Sequence, residues 1–146
     1  MDNLNNHDEP KGFMKSTNKF ETINGKHLLL EIYGANQEKL NDESYLRCII
    51  GKSSKLANAK ILNLISHKFN PQGVTAIALL AESHLSIHTW PELRYCAIDI
   101  FTCGNNMEPL SACKYLIDAL EAENHFLRTI NRSPTTKTRQ AIETLI

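Results

Sequence analysis

No apolar run in this chain of 146 residues approaches the roughly 20 consecutive residues that a bilayer-spanning helix needs. The first 20 residues include Asn3, Asn5, Asn6, His7, Asp8 and Glu9 and lack the apolar centre of a secretory signal. A cytoplasmic protein with no membrane partner is therefore expected. Excess charge is also missing. Sixteen basic residues cancel sixteen acidic ones, so no net field draws the chain to nucleic acid. Cysteine is sparse: Cys48, Cys96, Cys103 and Cys113 show no paired ligand spacing, which leaves neither a zinc knuckle nor a disulfide framework. What remains is an ordinary globular composition, 42% hydrophobic, enough for one domain around one core.

Residues 1–24 are polar and aperiodic and are expected to be a flexible arm ahead of a domain over 25–132, with a tail over 133–146. Strands are expected over 27–33, 61–69, 74–80, 84–90, 95–101 and 125–130, from short apolar or alternating runs punctuated by Gly34, by Asn70-Pro71-Gln72-Gly73 and by Pro91. Asn41 or Asp42 is placed to cap a helix with Leu46, Ile49, Ile50, Leu56 and Ala57 on one face, although Gly51 weakens its middle. Pro109 suits the first turn of a second helix carrying Leu110, Cys113, Leu116, Ile117 and Leu120. Cys48 and Cys113 are expected in the core, and a short docking helix is expected over 140–146. The order reads β-α-β-β and then β-β-α-β, two similar halves taken as β-α-β-β twice, without a convincing sequence repeat. It predicts an α+β fold, a mainly antiparallel sheet with helices on one face.

The chemistry-bearing stretch is Glu82-Ser83-His84-Leu85-Ser86-Ile87-His88-Thr89-Trp90-Pro91-Glu92, followed by Phe101-Thr102-Cys103-Gly104. His84 and His88, four apart on a strand, stand roughly 13 Å from one another at about 3.3 Å per residue. Ligands of one zinc ion lie about 2 Å from it, so the pair cannot share a metal, and no metal is expected. A serine hydrolase is a poor alternative. Ser83 lacks the glycines of a nucleophile elbow, and nothing local positions Asp99 as the orienting acid.

That stretch resembles the signature of bacterial and archaeal S-adenosylmethionine decarboxylases. The similarity runs from about Lys26 to about Arg132 and includes Lys26-His27-Leu28 and Phe69-Asn70-Pro71-Gln72-Gly73-Val74. The resemblance implies a proenzyme that cleaves itself between Glu82 and Ser83 into 1–82 and 83–146. Ser83 becomes a covalent pyruvoyl group, the electron sink for decarboxylation. His88 matches the base that removes the Ser83 α-proton, and Cys103 the donor that returns a proton to the substrate. A thiol carries a proton at neutral pH where a carboxylate does not. Thr75 stands where the bacterial family usually has a serine assisting cleavage; it keeps the hydroxyl but adds a stiffening methyl.

Substrate contacts implied by the same resemblance are Phe69 stacking on adenine, Glu92 on the ribose hydroxyls, and Leu80 with Glu82 lining the pocket. The implied partners are S-adenosylmethionine and a second copy of the chain, in a four-layer α/β/β/α homodimer whose active sites draw on both subunits. The product would be the aminopropyl donor for polyamine synthesis. Two alternatives remain: decarboxylation of arginine or ornithine by the same chemistry, and a non-catalytic paralogue that regulates an active partner without being processed.

Overall fold

The computed structural model describes residues 25–103, 106–133 and 141–144. The arm expected over 1–24 lies outside them, as do 134–140 and 145–146 of the tail. Strand β1 (Gly25–Tyr33) leads through a short helix α1 (Gln37–Leu40) into α2 (Glu43–Leu56). Strands β2 (Ile61–Lys68), β3 (Val74–Leu80) and β4 (Ser83–Trp90) follow. A 3-10 turn over Pro91–Leu93 then leads to β5 (Tyr95–Cys103), α3 (Pro109–Ala119), β6 (Asn124–Arg132) and β7 (Ala141–Thr144). The seven strands make one sheet in the order β2-β3-β4-β5-β1-β6-β7, with every neighbouring pair antiparallel.

Period-2 alternation decides the two faces of this sheet. In β1 and β5 the even-numbered residues Leu28, Leu30, Ile32, Cys96, Ile98 and Ile100 point to one side and are buried. Leu85 and Ile87 of β4 and Val74, Ala76 and Ala78 of β3 join them. Helices α2 and α3 cover this side, packing on each other, with α2 against β2 and β3 and α3 against β1. Each fully buried Leu or Ile contributes about 1.5–3 kcal/mol relative to exposure, so the helix side is where the fold is held.

Among the described residues the other face carries no helix. Ile65, Ile77, Leu79 and Trp90 stay exposed there, and Tyr33 stacks on Tyr95 with ring centroids 5.4 Å apart. A hollow of about 330 Å³ opens on this face, lined by Leu29, Glu31, Tyr33, Tyr95, Phe126 and Arg128.

Asp42 caps α2, its carboxylate accepting from the Tyr45 N–H at 3.0 Å. Leu46, Ile49 and Ile50 form the buried stripe, but Leu56 does not join them and is 52% exposed. At roughly 100° per residue Leu56 falls about a quarter turn off the stripe. Ser53 and Ser54 take the buried places and satisfy their hydroxyls on the Ile50 carbonyl at 2.9 and 2.8 Å. The same geometry exposes Leu110 at the start of α3. It also turns Cys48 outward, against the expectation of a core thiol, while Cys113 is buried as expected. The segment expected to dock as a helix over 140–146 instead supplies β7, paired along the edge of β6 from Leu127↔Thr144 to Ile130↔Ala141.

Candidate active site

The signature residues occupy β4 and its neighbours, and they gather at two separate ends. At the first, β3 turns through Ala81 and Glu82 into Ser83, the opening residue of β4. The turn is tied to the start of β2: the Ala81 N–H donates to the Lys60 carbonyl at 2.9 Å, and the Lys60 N–H donates to the Glu82 carboxylate at 3.2 Å. Ser83 pairs with Thr102. This register brings the Cys103 N–H to the Glu82 carbonyl at 3.1 Å. The Cys103 side chain is exposed at the end of β5, whereas Leu80 is buried with the helix-side core. Ser83 has φ +157°, a backbone conformation that residues with side chains seldom adopt.

At the second end, His88 pairs with Thr75 across β3 and β4, and Thr75 Oγ1 lies 2.9 Å from His88 Nδ1. The turn between β2 and β3 sits alongside. Gly73 holds φ +98° and accepts a hydrogen bond from the Phe69 N–H at 2.8 Å, which fixes Phe69 at the rim. A side chain at Gly73 would meet the Thr89 carbonyl at 3.0 Å, so this turn requires glycine. Phe69 is half exposed and makes an edge contact with His67 at 4.7 Å. Glu92, in the turn after β4, accepts from the Gln72 amide at 3.0 Å. Phe69, Thr75, His88 and Glu92 thus form one group, and Glu82, Ser83 and Cys103 the other.

His88 stands five positions along β4 from Ser83, roughly 16 Å at about 3.3 Å per residue. The two groups do not meet within one chain. Between and around them lie residues to which the sequence assigns no role. His84 places Nδ1 3.3 Å from Ser83 Oγ. His27 reaches Asp99 with Nε2 at 3.2 Å from Oδ1, and both histidine rings flank Phe101. Only the pairing of β1 with β5, over 70 residues apart in the chain, brings His27 to this place.

Burial separates the cysteines. Loss of solvent pushes the Cys96 and Cys113 thiols up to about 12, which leaves them inert beside exposed Cys103. Tyr95 is also raised, first by burial and then by its hydrogen bond to Glu31.

Residues 26–133 match the family model described as S-adenosylmethionine decarboxylase. A protein of Synechococcus sp. (strain WH7803) named S-adenosylmethionine decarboxylase proenzyme is 56% identical over 108 residues, covering 74% of this chain and 84% of the relative. One of the same name from Clostridium tetani is 46% identical over 100 residues, 68% of this chain and 79% of the relative. The crystal structure of the adenosylmethionine decarboxylase from Aquifex aeolicus VF5 superposes with a TM-score of 0.73 at 29% identity, covering 82% of this chain and 98% of that one. With a family match across about three quarters of its length and the same sheet and helix layer, this chain belongs to the S-adenosylmethionine decarboxylase family.

Proposed function

We propose that the chain is made as a proenzyme, cuts itself between Glu82 and Ser83, and as a homodimer decarboxylates S-adenosylmethionine to the aminopropyl donor of polyamine synthesis. The observation that carries this reading is the Glu82–Ser83 junction, where the carbonyl to be attacked already accepts the Cys103 N–H at 3.1 Å. Attack by Ser83 Oγ on the Glu82 carbonyl carbon places negative charge on that oxygen, and a fixed N–H aimed at developing charge lowers the barrier. The peptide becomes an ester. Removal of the Ser83 α-proton then expels the Glu82 carboxylate, and the dehydroalanine left behind tautomerises and hydrolyses to a pyruvoyl group and ammonia.

The surroundings fit such a group. Cleavage at the first residue of β4 frees a strand end beside exposed Cys103 and leaves the apolar core intact. The pyruvoyl ketone supplies an electron sink for the decarboxylation. Cys103 returns a proton to the substrate α-carbon, Phe69 stacks on the adenine, and Glu92 accepts from the ribose hydroxyls. Glu82 lines the approach, and Leu80, buried with the helix-side core, stays out of it.

His88 is the base for α-proton removal, positioned by Thr75. It cannot serve Ser83 of its own chain across roughly 16 Å of strand. Two copies packed open face to open face, with their β4 strands antipodal, put the Thr75–His88 end of one over the Ser83–Cys103 end of the other. Exposed Ile77, Leu79 and Trp90 give that face an apolar surface to cover.

Co-expression of differently tagged Ser83→Ala and His88→Ala chains tests this. Alone, Ser83→Ala stays one chain and His88→Ala stalls as an ester that hydroxylamine cuts. Together, the His88→Ala chain is processed, because its partner supplies the imidazole. A mixture with no pyruvoyl places each site within one chain, and cleavage of Ser83→Ala at the same bond ends the self-cleavage reading. Carbon dioxide release by wild type on S-adenosylmethionine, arginine and ornithine decides the substrate. Phe69→Ala should weaken use of the nucleoside by about 5- to 150-fold, the equivalent of losing a base stack of roughly 1–3 kcal/mol. A wild-type preference for arginine or ornithine overturns the substrate and leaves the processing chemistry standing.

A further inference from the structure

Self-cleavage needs two proton transfers that differ in kind. The first takes the proton from Ser83 Oγ, and the second takes the proton from the Ser83 α-carbon. Thr75 Oγ1 engages His88 Nδ1 at the far end of β4, and His88 is assigned to the second transfer. A different imidazole stands at the hydroxyl. His84 Nδ1 lies 3.3 Å from Ser83 Oγ.

The His84 ring is held from the sheet side. Phe101, directly opposite in the β4–β5 register, packs tilted against it at 6.0 Å between centroids, and His27 meets it edge-on at 6.4 Å. His27 is in turn anchored on Asp99 at 3.2 Å, and the Arg132 guanidinium caps the Phe101 ring at 4.7 Å. A half-buried ring in such a frame keeps its nitrogen on the neighbouring hydroxyl.

We infer that His84 is a further catalytic residue, the general base of the peptide-to-ester step, so that the two histidines of the signature divide the two proton transfers between them. The inference rests on Ser83 being the processing serine. His84 Nδ1 takes the proton as the Ser83 O–H bond breaks and the Oγ–C bond to Glu82 forms. As the Glu82–Ser83 C–N bond breaks, the proton passes from His84 to the departing Ser83 nitrogen. The step is an isomerisation, with no co-reactant and with His84 returned neutral.

The test is the fate of the His84→Ala precursor beside His88→Ala. His88→Ala accumulates an ester that hydroxylamine cuts. His84→Ala should instead accumulate intact peptide that hydroxylamine leaves whole, forming fragments about 100- to 10,000-fold more slowly, the usual range for loss of a general base. Added imidazole should accelerate its cleavage, a rescue that a purely structural role does not produce. His84→Asn keeps a hydrogen-bond acceptor near the hydroxyl but takes no proton. It should stall at the same point, and it carries the test if the alanine variant fails to fold. Wild-type cleavage in His84→Asn, or a hydroxylamine-labile ester in either variant, overturns the assignment. Cleavage of Ser83→Ala in parallel would instead remove the reading beneath it.

Discussion

Four cysteines of identical intrinsic chemistry end with different reactivity because β-strand parity and helix phase place them differently. Cys96 faces the helices and Cys113 lies on the buried side of α3, and burial pushes both thiols up to about 12. Cys48 and Cys103 are exposed. The thiolate is the nucleophile, so an exposed thiol reacts long before one whose burial disfavours ionisation. Iodoacetamide should therefore label native protein at Cys48 and Cys103, and at Cys96 and Cys113 only after denaturation, as read by peptide mass spectrometry. Labelled Cys103 should abolish carbon dioxide release while fragments 1–82 and 83–146 remain unchanged. Native labelling at Cys96 as fast as at Cys103 contradicts the burial argument.

Within the elements, two glycines make opposite demands. Gly51 lies inside α2, and a Cβ built on it meets nothing within 4 Å. The helix survives this weak position because Leu46, Ile49 and Ile50 anchor it to the sheet. Gly51→Ala should stabilise by about 0.5–1 kcal/mol, raising the melting temperature by about 2–6 °C. Gly34 ends β1 at φ +67°, where an added Cβ would lie 2.5 Å from the Glu123 carboxylate. Gly34→Ala should lower the melting temperature. Calorimetry of both variants checks the pair, and the same sign of shift in both would refute the account of α2 or of the β1 turn.

At the scale of the molecule, one sheet face is sealed by helices and the other presents apolar side chains and half of each proposed site. Ile77, 38% exposed on that face, contributes little to the core of its own chain. Ile77→Asp should therefore fold yet fail to pair, because burying a carboxylate between two sheets is costly. Sedimentation should report a monomer, and denaturing electrophoresis a single uncut chain, since His88 no longer reaches a second Ser83. A monomer that still processes itself at the wild-type rate would show that pairing is unnecessary for the chemistry.

Local pattern was enough for most of the elements. Strands β1 to β6 follow from short apolar or alternating runs between turn residues, because strand composition and glycine or proline punctuation act within a few residues. Asp42 and Pro109 mark the starts of α2 and α3 for the same reason. The signature itself, Glu82 to Glu92 with Cys103 a short way on, lies close together in the chain, so the family was legible from the sequence alone. Helix phase was legible only in part. Leu56 was misplaced because serines can occupy a buried stripe once their hydroxyls find a carbonyl, as Ser53 and Ser54 do, and Cys48 because it stands about 200° around the helix from Leu46. Tertiary structure decided what depends on distant partners: strand order, the register that carries the Cys103 N–H to the Glu82 carbonyl, and the meeting of His27 with Asp99 and His84. It also divided the signature between two ends of β4. A strand is extended, rising about 3.3 Å per residue, so residues five apart in sequence stand roughly 16 Å apart in space.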